Sequence, residues 1–151
     1  MSIRTKKRIF SLLIACNLAF IWGNSAMTAR QSGDLSGALL LELLELFPFL
    51  AGENAHYILR KLAHFSEFAA LGLLSSARKR LDGKLFPAFF LFGLAPACID
   101  ETIQLVVPGR ASSLVDVWID TAGFACGCLI LLGFAIITRQ VQKIHTGGFK
   151  K

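Results

Sequence analysis

The sequence has one tyrosine against 13 phenylalanines, no CxxC pair, no HExxH run, and no stretch long enough to link two separate units. Each absence narrows the reading. The phenylalanine excess suits a lipid-facing surface better than a water-facing one. No recognised metal signature is present, so neither a metal centre nor a cofactor is expected from motif alone. Without a linker, residues 1–151 read as a single domain. Charged residues are also scarce, 17% against 54% hydrophobic, a balance foreign to a soluble domain of this size.

The net charge of +6 raises the question of nucleic acid. Binding there needs basic residues gathered on a soluble face or groove, whereas these flank long apolar runs. Nucleic acid is therefore excluded as a partner. The four cysteines, Cys16, Cys98, Cys126 and Cys128, lie within apolar runs, where a thiol behaves as a small buried hydrophobe. The spacing of Cys126 and Cys128 points the two thiols to different helix faces, which disfavours a shared metal or disulfide.

Four apolar stretches, near 7–26, 57–77, 85–107 and 114–137, are each long enough to span the hydrocarbon core. The first follows Arg4, Lys6, Lys7 and Arg8, as a signal peptide would, but Asn24-Ser25-Ala26 makes a poor cleavage site. A retained helix is expected, with Trp22 as an interfacial anchor and Trp118 matching it on the fourth span. The segment from Asp34 to Phe49 is helical in preference but too short to span, so it is expected in the interface, capped by Asp34 or Ser36 and ended by Pro48. Pro87 falls in the first turn of the third span and Pro96 near its middle, where a kink is expected. Gly123 and Gly127 on the fourth give the spacing that lets helices approach closely.

Alternation of four spans puts both termini and the 78–84 loop on one side, and 12 of the 16 basic residues lie there. That side is expected to be cytoplasmic. Nine of the ten acidic residues fall on the other side or at the span ends facing it. The expected architecture is an all-α polytopic membrane protein with four transmembrane helices, a short extracytoplasmic interfacial helix between the first two, and cytoplasmic termini.

Ionisable groups at membrane depth are costly unless they face a bundle interior or a wet cavity, so they mark function. Three sets fall at the outer end. Helical spacing puts Arg60, His64 and Glu67 on one face of the second span, with Lys61 beside them. The third span ends with Asp100 and Gln104 on a shared face and Glu101 one position round. The fourth begins with Ser113 as a helix cap, then Asp116 and Asp120 one turn apart. A tight turn at Val107-Pro108-Gly109 delivers Arg110 to the outer mouth. Mutual neutralisation explains any one of these residues, but the set exceeds what helix packing needs. Arg30, Glu53, His56 and His145 read as solvated or headgroup-contacting.

Arg60-Lys61-x-Ala63-His64-Phe65-x-Glu67-Phe68, then Asp100-Glu101-x-x-Gln104, then Pro108-Gly109-Arg110-x-x-Ser113-x-x-Asp116-x-x-x-Asp120 closely resemble the VanZ-like membrane proteins of bacteria, over about residues 57–127. The resemblance implies a four-helix bundle and, through the family's namesake, a link to low-level teicoplanin resistance. It implies no established reaction.

Two readings follow. In the first, Arg60, Lys61 and Arg110 meet the phosphate or carboxylate of an amphiphile at the outer leaflet, while the acids orient them. Candidate partners are membrane lipids, a lipid-linked envelope precursor or a lipoglycopeptide. In the second, the protein is an enzyme acting on a lipid-linked envelope precursor. Glu67, Asp100, Glu101, Asp116 and Asp120 would hold a divalent cation, with His64 as base or further ligand. A transporter is disfavoured, because no inverted repeat or broken helix pair is visible.

Overall fold

A computed structural model describes residues 1–48, 51–83 and 89–147 of the chain. Five helices and no strand appear among the described residues: α1 (Ile3–Ser25), α2 (Ala29–Leu46), α3 (Ala55–Arg80), α4 (Phe89–Val106) and α5 (Leu114–Gly147). Four coincide with the apolar stretches of the sequence. The helix α5 runs ten residues beyond the expected end at 137, because its apolar run passes without a breaker into Arg139-Gln140-Val141-Gln142. Pro96 lies inside α4, which is helical on both sides of it. Lys84, Pro87, Lys150 and Lys151 lie outside the described residues.

Contacts at the two ends of the bundle fix the helix directions. At one end the start of α1 meets the end of α3, where Lys7 pairs with Asp82 at 2.5 Å and Arg78 Nε donates to Ser11 Oγ at 3.3 Å. At the other, the end of α1 meets the end of α4, with Ser25 Oγ donating to Asp100 Oδ1 at 2.6 Å. Accordingly α1 and α4 run one way, and α3 and α5 the other. Their shared core holds Ile21 from α1, Phe68 and Leu71 from α3, Ala97 from α4, and Val117, Phe124 and Cys128 from α5.

The α3–α5 contact is backbone on backbone. A Cβ added at Gly123 would sit 2.3 Å from the Phe65 carbonyl oxygen, and one at Gly127 would sit 1.8 Å from that of Ala69. From the other helix, a Cβ at Gly72 would meet the Phe124 carbonyl oxygen at 2.0 Å. Small residues at these crossings let two helices approach where lipid offers no hydrophobic drive to associate. Cys128 uses the same closeness, its thiol donating to the Gly72 carbonyl at 3.2 Å, and all four cysteines are free thiols.

One expectation fails here. The helix α2 starts at Ala29, five residues before Asp34. Thr28 accepts from the Gln31 amide while Gln31 Oε1 accepts from the Thr28 amide, a reciprocal cap that outcompetes later candidates. Ser36 spends its hydroxyl on the Gly33 carbonyl within that helix. Trp22 is partly buried against the core, and its Nε1 donates to the Pro96 carbonyl at 3.4 Å.

By length and composition, α1 and the Leu114–Gln142 part of α5 are apolar enough to cross a membrane. Large apolar side chains such as Leu12, Phe20, Leu129 and Phe134 lie exposed along them. In water that exterior would be unfavourable; against acyl chains it is not.

Candidate functional site

The directions of the four long helices bring the polar residues of the sequence to one end of the bundle. There the last turn of α1 faces the first half of α3, the last turns of α4 and the first turns of α5. Asp100 and Asp120 are fully buried, and Glu101 and Gln104 nearly so. Such burial requires partners.

Asp100 has them. Its Oδ1 accepts from Ser25 Oγ at 2.6 Å, and its Oδ2 accepts from Gln104 Nε2 at 3.0 Å, one helical turn along α4. Glu67 on α3 accepts from Asn24 Nδ2 at 2.9 Å. Glu101 accepts from the backbone N–H of Ser113 at 2.7 Å, tying α4 to the start of α5. Ser113 in turn caps α5, its hydroxyl accepting from the Val115 amide at 3.2 Å, as the sequence leads one to expect.

The basic residues divide by role. Lys61 pairs with Asp116 across the α3–α5 contact and lies 5.1 Å from the centroid of the Tyr57 ring. Arg110 is carried inward by the turn after α4, where Gly109 adopts φ 75°, a left-handed conformation that favours glycine. Its Nε donates to the Met27 carbonyl and its Nη2 to the Asn24 carbonyl, each at 3.0 Å. It thus ties the turn after α4 to the backbone at the end of α1, where the Asn24 carbonyl also accepts from the Met27 amide. Arg110 makes no ion pair with an acid among the described residues, and its hydrogen bonds go to backbone carbonyls instead. Burial pushes its guanidinium below the ordinary value. Arg60 is half-buried and makes no hydrogen bond or ion pair among the described residues.

Apart from Asn17 Oδ1 on α1, the buried side-chain polar atoms without hydrogen-bond partners among the described residues are His64 Nδ1, Glu67 Oε2, Glu101 Oε1, Arg110 Nη1 and both carboxylate oxygens of Asp120. They belong to one layer. His64 Nδ1 lies 3.7 Å from Asp100 Oδ2 and 3.9 Å from Asp120 Oδ1, beyond hydrogen-bond length in both cases.

All eleven residues singled out in the sequence therefore lie in or around this layer. The structure adds Asn24 and Ser25 from α1, which sequence reasoning weighed only as part of a cleavage site. Their signal was available: an amide and a hydroxyl, Asn24 and Ser25, close the apolar run of α1 at the end where the acids gather. Ser25 is completely buried.

An apolar-sided helical bundle closed at one end by a buried layer of acids, bases and one histidine is the signature of a membrane protein with an internal polar site. The chain belongs to the VanZ/LLP1 family, whose model matches residues 10–137. No curated protein and no solved structure matches it.

Proposed function

We propose that the chain is a four-span, multi-pass membrane protein with cytoplasmic termini, whose polar layer opens to the outer face and receives the anionic headgroup of an amphiphile. Alternation of helix direction supports the topology, since α3 and α4 run antiparallel between α1 and α5 and complete an even number of crossings. The basic flanks at Arg4, Lys6, Lys7, Arg8, Arg78, Lys79 and Arg80 then face the cytoplasm. In this arrangement α2 lies along the outer interface with Leu35, Leu39, Leu41 and Leu46 exposed.

One observation carries the headgroup reading. Arg110 Nη1 is buried and unpartnered beside a half-buried Arg60 that has no acid of its own. Two guanidinium groups left short of acceptors invite a phosphate or carboxylate. Lipid headgroups, lipid-linked envelope precursors and lipoglycopeptides share that chemistry. A change in teicoplanin susceptibility is the corresponding readout in cells.

Arg60 is the residue to test, because Arg110 also holds the end of α1. With the purified protein in detergent, dihexanoyl phosphatidylglycerol should bind more tightly than dihexanoyl phosphatidylcholine. Replacing Arg60 with Ala should remove most of that preference while leaving thermal stability nearly unchanged. Equal affinity of the wild-type protein for the two lipids would exclude the headgroup site.

A membrane-embedded enzyme acting on a lipid-linked precursor is the second reading. It is favoured by the buried, unpartnered oxygens of Asp120 beside His64, a combination able to activate water or a hydroxyl. Release of phosphate or of a sugar product from such a substrate, lost on replacing Asp120 with Asn, is its test.

A further inference from the structure

We propose that His64, Asp100 and Asp120 form a binding site for a divalent transition-metal cation within the polar layer. The site deepens the headgroup reading, since a cation there would also meet an anionic group, and it rests on the same outward-facing layer.

Three helices contribute one donor atom each, and the three atoms lie within 4.8 Å of one another. The spacing separates a cation from a hydrogen-bonded cluster. His64 Nδ1 stands 3.7 Å from Asp100 Oδ2 and 3.9 Å from Asp120 Oδ1, too long for a proton shared between them. A metal about 2.1 Å from each of its ligands sets tetrahedral donors roughly 3.4 Å apart, close to the two His64 distances, and requires the two carboxylates to stand or close to a similar separation.

Burial is the second, independent observation. Asp120 is completely buried and neither of its oxygens has a hydrogen-bond partner, an arrangement unfavourable for a carboxylate unless something positive faces it. Asp100 differs: Ser25 and Gln104 hold its carboxylate in place, as ligating carboxylates are commonly held by donors behind them. One carboxylate is therefore oriented and the other is waiting.

Charge points the same way. The layer sets Arg60, Lys61 and Arg110 against Glu67, Asp100, Glu101, Asp116 and Asp120, a formal excess of two negative charges. One divalent cation balances it. Lys61 is committed to Asp116, which leaves Glu67, Asp100, Glu101 and Asp120 facing Arg60 and Arg110, the same excess of two. The donor set decides the class of metal. An imidazole nitrogen beside two carboxylates suits Zn2+ or Mn2+, whereas Ca2+ and Mg2+ favour all-oxygen cages or retained waters. No sequence motif announces the site, because its ligands lie far apart in the chain.

The test uses the full chain in detergent, stripped with chelator and dialysed. Adding Mn2+ or Zn2+ should raise the unfolding midpoint by several degrees, with about one metal per chain by elemental analysis, while Mg2+ and Ca2+ at equal concentration do not. Asp120→Asn, nearly isosteric, should weaken metal binding at least tenfold, and Asp82→Asn at the opposite end should not. No midpoint shift in the stripped wild-type protein, or full metal binding by Asp120→Asn, would overturn the proposal. The phosphatidylglycerol comparison run on the stripped protein separates the two readings: a retained lipid preference without metal binding removes only the cation, and the converse removes only the headgroup.

Discussion

Ser25 on α1 and Asp100 on α4, 75 residues apart in sequence, are joined by a 2.6 Å hydrogen bond between side chains that are both completely buried. A single hydroxyl thereby binds the end of the first helix to the acid at the centre of the polar layer. Replacing Ser25 with Ala leaves Asp100 with Gln104 as its remaining donor, and a buried carboxylate losing one of two donors costs about 1–3 kcal/mol. The expected result is a lower unfolding midpoint in detergent; an unchanged midpoint would contradict the contact.

The Lys61–Asp116 pair joins α3 to α5 with both side chains mostly shielded from solvent. Lys61→Met should destabilise by about 1–3 kcal/mol, less than the full cost of breaking a wholly buried pair. Adding Asp116→Asn should restore much of the loss, because no unpaired charge then remains. A double-mutant cycle in detergent measures this directly, and additive losses would show that the two residues do not interact.

Gly127 and Gly133 lie on the same helix but differ in surroundings. A Cβ at Gly127 would come within 1.8 Å of the Ala69 carbonyl oxygen, while one at Gly133 meets nothing within 4 Å. Gly127→Ala should push α3 and α5 apart at a cost of about 1–3 kcal/mol, visible as reduced membrane abundance. Gly133→Ala should be neutral or slightly stabilising, since alanine favours helix.

At the basic end, Asp82 sits between Lys7 and Arg78, and hydrogen bonds from both hold its carboxyl below the ordinary range. A depressed value means that the stabilisation is present above about pH 4, where the unfolded carboxyl is already ionised, and is lost as pH falls through the folded value. Asp82→Asn should therefore lower the midpoint slightly at neutral pH and not at all in strong acid. The neutral-pH difference should shrink in high salt, as an exposed cluster does.

Much of this was legible in the sequence, and the reason differs by element. The helices α1, α3, α4 and α5 could be read from apolar runs of helical length, because such runs are local features of the chain. Helical spacing placed His64 near Glu67 and Asp100 near Gln104 for the same reason: both pairs are local. Ser113 as a cap was local too. Contacts between helices were not. Arg110 reads as a charge beside acids, yet it binds the carbonyls of Asn24 and Met27, a role set by where α1 ends rather than by any charge pattern. The start of α2 escaped notice because Thr28 and Gln31 cap it from within what reads as the preceding loop. The grouping of His64, Asp100 and Asp120 depends on three helices meeting, which periodicity within one helix does not encode.

The orientation of the polar layer is the claim on which the functional reading turns. In a cysteine-free background, single cysteines at Ala111 and Gly83 can be probed in intact cells with a membrane-impermeant maleimide. The account predicts labelling at 111 from outside and labelling at 83 only after the membrane is opened. Labelling at 83 but not at 111 in intact cells would place the buried acids on the cytoplasmic side and contradict it.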